Sequence, residues 1–128
     1  MSKEQYVTFE VAKLLKEKGF DWGCNGYWFI SEYSKVFNIS PSRNPQNWNE
    51  VKTDLDWLSC PTQQMACRWL RKEKGIHILP EISEVKENPK YYCMIWKTST
   101  LESFIIELFD SYEDAVEVAL EYALKNLI

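Results

Sequence analysis

The residues best suited to chemistry lie in one stretch, Ser59 to Ile78, which reads SCPTQQMACRWLRKEKGIHI. It contains two of the four cysteines, Cys60 and Cys67, and the only histidine, His77. A cysteine at the start of a helix can have a lowered pKa, and a nearby histidine can act as its base. The stretch therefore raises the hypothesis of a small cysteine-dependent enzyme.

The spacing of these residues disfavours a catalytic pair. Pro61 and Gly75 are typical of the first turn and of the end of a helix, so Cys60 and His77 would flank one helix of about fifteen residues. At that length the two side chains would be roughly 20 Å apart, which is beyond hydrogen-bond reach. We therefore assign no catalytic residue, and an enzyme is the least favoured hypothesis.

The cysteines also lack the spacing of a metal site. Structural zinc sites group their ligands about two to four residues apart, whereas Cys60 and Cys67 are seven apart and Cys24 and Cys93 are remote in sequence. The chain begins with MSKEQYVTFE, which has neither the basic nor the apolar segment of an export signal. We expect free thiols, no disulfide, no bound metal, no cofactor and a cytoplasmic location.

Charge and composition limit the classes of partner. The 128 residues carry a formal net charge of -4, which gives no long-range attraction to nucleic-acid phosphates or anionic lipid. No stretch approaches the roughly 20 apolar residues of a membrane span. A hydrophobic content of 45% is near the globular average, so one folded domain over residues 1–128 is predicted. We expect no membrane partner and no small-molecule ligand, and nucleic acid is disfavoured.

Helices and strands are predicted from capping residues, apolar periodicity and runs of β-branched or aromatic residues. The helices are expected near 8–18, 61–74 and 111–127, and the strands at Ile76–Ile82, Tyr91–Thr98 and Phe104–Phe109. Together they predict an α+β fold in which a three-stranded antiparallel sheet, with an added N-terminal hairpin, packs against three helices. Within the sheet, His77 and Glu107 are expected on the face opposite the core.

The predicted core consists of apolar residues from these helices and strands. They are Val11, Leu14, Leu15, Met65, Trp69, Leu70, Ile76, Ile78, Ile95, Ile106, Leu108, Val116, Leu120, Leu124 and Leu127.

The segment from residue 21 to 58 is unusually rich in aromatic residues. Asn25-Gly26, a strong turn signal, lies between aromatic flanks in DWGCNGYWFI and predicts a hairpin turn at that point. Beyond residue 30 the periodicity fades, so residues 31–58 are predicted to form a long irregular segment. Such a segment is usually functional or held in place by its own side chains.

The order helix, three strands, helix over residues 61–128 is similar to that of double-stranded-RNA-binding domains, which implies RNA binding as an alternative function. That family uses a basic cluster at the start of its last helix, where this chain has Glu113, Asp114 and Glu117. It also uses a histidine-bearing loop between its first two strands, where this chain has SEVKENPK. These departures disfavour the RNA hypothesis.

Three blocks resemble a set of small uncharacterised proteins of bacteriophages and prophages in gut Bacteroides-type bacteria. The blocks are YVTFEVAKLLKEKGF at 6–20, PTQQMACRWLRKEKGIHI at 61–78 and SYEDAVEVALEYALKNLI at 111–128. The family has no assigned activity, so the resemblance implies a phage or prophage setting without implying a chemistry.

The leading hypothesis is a non-enzymatic accessory or protein-interaction domain that binds a partner protein or a second copy of itself. The predicted helices and strands already supply enough aliphatic side chains for one small core, so some aromatic rings should remain at the surface. We predict Trp28, Tyr33, Trp48 and Trp57 as contact residues, and expect Trp28→Ala or Trp48→Ala to weaken association more than it lowers Tm. The alternative is that these rings only hold a long loop in place.

Overall fold

The computed structural model describes residues 5–41, 43–53, 56–83 and 89–128, without the side chain of Leu108. The chain divides into two compact units, Met1–Met65 and Ala66–Ile128. Each unit contains a three-stranded antiparallel sheet, and the described residues include three α-helices. The protein therefore has an α+β fold, as predicted, with a second sheet where only a hairpin was expected. A single domain over residues 1–128 stays a prediction.

The first unit contains a helix, a sheet and a short turn of 3-10 helix. Its elements are α1 (Phe9–Glu17), β1 (Gly26–Ile30), β2 (Lys35–Ile39), the 3-10 turn (Trp48–Glu50) and β3 (Asp56–Ser59). The strand order is β2-β1-β3, with both neighbours antiparallel to β1. As predicted, α1 begins after Thr8, whose hydroxyl accepts a hydrogen bond from the Val11 N–H at 3.2 Å.

The N-terminal hairpin exists, but its turn is not at Asn25-Gly26 as predicted. The chain reverses at Ser31–Ser34, where the Ser31 N–H donates to the Ser34 carbonyl at 2.8 Å. Gly26 instead begins β1 and lies close to the backbone of Cys60. A Cβ at this position would be 2.3 Å from the Cys60 carbonyl oxygen. The glycine is therefore required by a close backbone approach.

Residues 31–58, predicted to be irregular, contain β2, the 3-10 turn and β3. The strand β3 pairs with β1, with Trp57 opposite Phe29. The Asn49 side-chain oxygen accepts the Ser59 N–H at 2.9 Å and so joins the 3-10 turn to β3. The prediction failed because strands of four and five residues are too short to show an alternating pattern.

The second sheet and its helix follow the predicted order. The helix α2 (Gln63–Trp69) crosses the boundary between the units and continues as a π-helical turn (Leu70–Lys74), followed by β4 (Ile76–Ile82), β5 (Tyr91–Lys97), β6 (Glu102–Phe109) and α3 (Tyr112–Asn126). The strand order is β4-β5-β6, antiparallel throughout. Gly75 has a φ of 66° and ends the helical stretch in the left-handed conformation, as expected.

The helix α3 packs against all three strands of the second sheet. Its buried stripe is Ala115, Val116, Ala119, Leu120, Ala123 and Leu124. On the sheet, Ile76, Ile78, Cys93 and Ile95 are buried. These residues form the core of the unit, and α3 covers one face of the sheet.

Most of the predicted core is confirmed by burial. The buried members are Val11, Leu15, Trp69, Leu70, Ile76, Ile78, Ile95, Val116, Leu120, Leu124 and Leu127. Leu14, Met65 and Ile106 are only half-buried. Leu14 lies beside the inward stripe of α1, and Ile106 belongs to the edge strand β6, so each is covered on one side only. The side chain of Leu108 lies outside the described residues.

Candidate interaction surfaces

The four predicted contact residues lie in three different places in the first unit. Trp28 lies on the sheet face that packs against α1, where its ring meets Phe9 edge-on at 5.2 Å between centroids. Trp48 and Trp57 lie on the opposite face, with their ring centroids 5.6 Å apart. Tyr33 lies at the tip of the β1–β2 turn and is 91% exposed. They do not form one surface.

Four half-buried rings form one packed group on the face of the first sheet away from α1. This aromatic cluster consists of Tyr27, Phe29, Trp48 and Trp57. Tyr27 stacks on Trp48 at 4.2 Å, and Phe29 meets Trp57 edge-on at 4.6 Å. The Trp48 indole N–H donates to the Cys24 carbonyl at 2.8 Å. Such contacts hold the 3-10 turn on the sheet, which supports the alternative that these rings stabilise the segment.

Trp28 is packed differently from Trp48. Its indole nitrogen is buried and has no hydrogen-bond partner among the described residues. The Lys35 ammonium lies 3.9 Å from the Phe9 ring centroid and 6.0 Å from that of Trp28. Trp28 therefore contributes apolar and cation–π contacts without a hydrogen bond.

A groove of 460 Å³ runs along α1 and β3 in the first unit. Its lining residues are Phe9, Lys13, Lys16, Glu17, Ile30, Asp56, Trp57 and Leu58. The Lys16 ammonium donates to the Trp57 carbonyl at 3.4 Å, and so occupies a backbone acceptor of the edge strand. Because two lysines and two carboxylates line the groove, its charge does not select one class of ligand.

Burial disfavours the thiolate form of three of the four cysteines. Burial raises the pKa of Cys67 to about 12 and that of Cys93 to about 11, and it also raises the pKa of Cys24. The buried Cys60 thiol donates to the Val7 carbonyl at 3.2 Å. All four cysteines are present as thiols. Thiols with raised pKa values are protonated at neutral pH and react slowly.

Possible metal ligands are also scattered. Among the residues that the structure describes, no group of three or more His, Cys, Asp or Glu side chains could hold a metal ion. His77 lies on the second sheet opposite Trp96, in a row that continues to Ser103.

Within the second unit, the described residues leave the face of the sheet away from α3 uncovered. Nine side chains lie on this open face in three rows that each cross β4, β5 and β6. The histidine row (His77, Trp96 and Ser103) and the aliphatic row (Leu79, Met94 and Ile105) each consist of residues paired across the three strands. In the glutamate row Glu81 pairs with Tyr92, and Glu107 of β6 lies at a register shift, between Ile106, which pairs with Cys93, and Phe109, which pairs with Tyr91. His77 and Glu107 lie on the face predicted for them, opposite the core.

The centre of the open face is apolar and accessible to solvent. Leu79 is 45% exposed, Trp96 is 40% exposed and Ile105 is 56% exposed. They belong to adjacent rows, so they form a continuous patch and are not isolated surface residues. Antiparallel sheets with one solvated face usually carry polar residues at such positions.

The two ends of the open face differ in chemistry. At one end a hollow of 260 Å³ is lined by His77, Leu79, Trp96, Lys97, Thr98 and Leu101. At the other end Glu81 and Glu107 are both exposed. The face is therefore apolar in the middle, acidic at one end, and provided with an imidazole and an ammonium at the other.

Sequence reasoning placed His77 and Glu107 on the face opposite the core but did not identify the aliphatic row between them, although a signal was present. The strands contain HIL, CMIW and FIIE, in which apolar residues occupy both alternating positions. A strand that is apolar on both sides is typical of a sheet covered on both faces. The pattern therefore predicts a second covering layer, whereas α3 covers only one face.

Comparison with known proteins identifies no relative of this chain. No protein-family model, no curated protein and no solved structure matches it. In the described part of the chain, no helix has the length and apolar content needed to cross a membrane.

Proposed function

We propose that this chain is a non-enzymatic protein-interaction domain that binds its partner through the open face of the second sheet. The observation that supports this function is the aliphatic row, in which Leu79 and Ile105 are each about half exposed beside Met94. We propose a phage or prophage accessory role as the setting, supported by the three sequence blocks that resemble such proteins.

The chemistry of the open face suits a protein partner. Burial of apolar surface contributes about 25 cal/mol per Å², and the aliphatic row offers such surface on three neighbouring strands. Trp96 adds a large ring beside the row, and tryptophan is enriched among residues that dominate binding energy. The polar residues at both ends can form the hydrogen-bonded rim that surrounds an apolar interface.

The two alternative functions have less support. An RNA-binding surface needs cations against the phosphates, but Glu113 and Asp114 begin α3, and Glu81 and Glu107 lie on the open face. A cysteine-dependent enzyme needs a thiolate, but burial raises the pKa of the Cys67 thiol to about 12.

A capture experiment with matched variants tests the proposed function. The immobilised chain, its Ile105→Lys variant and its Val118→Lys variant are incubated with extracts of infected or lysogenic cells. Val118 is 38% exposed on α3 and serves as the control for an added surface lysine. We expect a protein that the original chain and Val118→Lys retain and that Ile105→Lys retains about tenfold less.

Identical retained proteins for all three chains would contradict the proposed function. Material that is lost on nuclease treatment would instead favour the RNA alternative. Circular dichroism melting of each variant checks that the lysine has not unfolded the chain.

A further inference from the structure

We infer that the occupant of the open face is a second copy of this chain, which packs its own open face against the first in a two-fold symmetric dimer. This inference rests on the proposed function, because it names the partner of the same surface. It follows from the order of the three rows: the aliphatic row lies in the middle, between the histidine row and the glutamate row.

Symmetry restricts how two such faces can meet. Two identical faces are exchanged only by a two-fold axis that lies in the plane between them. An axis that runs across the strands, along the aliphatic row, places the aliphatic row of one copy over the aliphatic row of the other. The same axis places the histidine row of each copy on the glutamate row of the other.

The residue pairs made by this axis are complementary. His77 lies over Glu81 of the second copy, so an imidazole N–H can donate to a carboxylate. Trp96 lies over Tyr92, and two aromatic rings can pack edge to face or offset. Ser103 lies over Glu107, where a hydroxyl can donate to a carboxylate. Each pair occurs twice in the dimer. The Lys97 side chain lines the hollow beside His77, at the end of the open face that lies over the carboxylates of the second copy.

The other simple arrangement is electrostatically unfavourable. An axis along the strands places each row of one copy over the same row of the other copy. It also places β4 of one copy over β6 of the other. Glu81 then meets Glu107 of the second copy at both ends of the glutamate row, and none of the nine side chains described on the open face is a lysine or an arginine. Like charges brought together across an interface suppress association. The row order therefore selects the axis across the strands.

The size of the open face sets the expected affinity. Three strands about 4.8 Å apart, each contributing residues about 3.4 Å apart, give a face of roughly 15 by 20 Å. Such a face is roughly 300 Å² per copy, below the roughly 600 Å² per copy of the smallest specific interfaces, and aligned packing keeps the strand directions of the two copies within about 30° of each other. We therefore expect a weak dimer, with a Kd on the order of hundreds of micromolar.

Sedimentation equilibrium of the full chain over a range of concentrations tests the dimer. We expect the original chain and Val118→Lys to show the same monomer–dimer equilibrium, and Ile105→Lys to weaken it by about tenfold or more. A dimer that Ile105→Lys leaves unchanged would overturn the inference, because the copies would then associate through another surface.

Charge exchange tests the axis itself. Glu81→Lys and His77→Glu should each weaken the dimer. The first places the introduced lysine over His77 of the second copy, and the second places the introduced glutamate over Glu81 of the second copy. The double variant His77→Glu/Glu81→Lys should restore association, since the introduced lysine of one copy lies over the introduced glutamate of the other. With the axis along the strands these positions do not meet, so a double variant weaker than either single variant would overturn the arrangement.

The result also separates the inference from the proposed function. A chain that stays monomeric, yet captures a different protein that Ile105→Lys fails to capture, would overturn the dimer and leave the interaction function intact. If Ile105→Lys changes neither sedimentation nor capture, both the dimer and the proposed function are wrong.

Discussion

Burial determines the chemical state of the thiols in the second unit. The pKa of Cys67 is raised to about 12, chiefly by desolvation, and the nearby Arg71 cation offsets only part of this effect. Desolvation also raises the pKa of Cys93 to about 11. Both thiols are therefore protonated near neutral pH, and Cys67 is the informative one because it is only half-buried.

We predict that iodoacetamide alkylates Cys67 at pH 8 at least about a hundredfold more slowly than it alkylates free cysteine, because the thiolate fraction falls tenfold per unit of raised pKa. Mass spectrometry of the Cys67 peptide measures the rate, and the urea-unfolded chain is the control. The rate should still rise with pH above 9, the ordinary thiol value. A plateau near pH 9 would contradict the raised pKa.

The same shift fixes the sign of a pH effect on stability. The pKa of Cys67 in the folded chain lies above the unfolded value of 9.0, so the neutral thiol is favoured by folding. The contribution of the Cys67 thiol to the free energy of unfolding is fully present below pH 9 and is lost as the pH rises from 9 towards 12.

Gly26 shows why one residue type can be misinterpreted from sequence. Asn25-Gly26 predicts a turn, because glycine adopts positive φ easily. In the structure the absence of a Cβ permits contact with the Cys60 carbonyl instead. Cys60 is remote in sequence, so the local pattern contains no information about this contact.

The 3-10 turn and β3 are held to the first sheet by a few specific side chains. Trp48 both stacks on Tyr27 and donates to the Cys24 carbonyl, whereas the buried Trp28 N–H has no partner among the described residues. The two tryptophans therefore provide a matched pair for testing what holds this segment in place.

We predict that Trp48→Phe lowers the free energy of unfolding by about 1 kcal/mol more than Trp28→Phe does. Both substitutions remove similar ring area, but only the first removes a hydrogen bond. Urea unfolding monitored by circular dichroism measures the difference. Equal losses would show that the Trp48 hydrogen bond contributes nothing. If Trp48→Phe folds normally and loses partner capture, the aromatic cluster, and not the open face, is the contact surface.

Element length decided which parts of the fold could be predicted. The helix α3 and the strands β4 and β5 carry seven or more residues each, so their periodicity and capping signals are clear. The strands β2 and β3 are too short for such signals, and their pairing depends on side chains such as Asn49 that bind a distant backbone. The apolar residues of the open face, Leu79, Met94, Trp96 and Ile105, were outside the predicted core but were not predicted as contact residues, because the surface apolar contacts were placed in the aromatic segment 21–58.

At the scale of the molecule, the two sheets differ in how their faces are covered. In the first unit, α1 lies on one face, and the aromatic cluster with the 3-10 turn lies on the other. In the second unit, α3 covers one face and the aliphatic row of the other is exposed. The second sheet is therefore the one whose apolar surface requires a further layer, and we propose that a second copy of the chain supplies it.

Methyl NMR spectra of the full chain over a concentration series test this claim most directly. We predict that the methyl signals of Leu79, Met94 and Ile105 shift together as the concentration rises from micromolar to millimolar, because these side chains lose contact with water. The signals of Val118 on α3 and Val36 on β2, which are also exposed, should not move. Signals of the aliphatic row that stay unchanged over the whole range, or that move less than those of Val118 and Val36, would contradict the account.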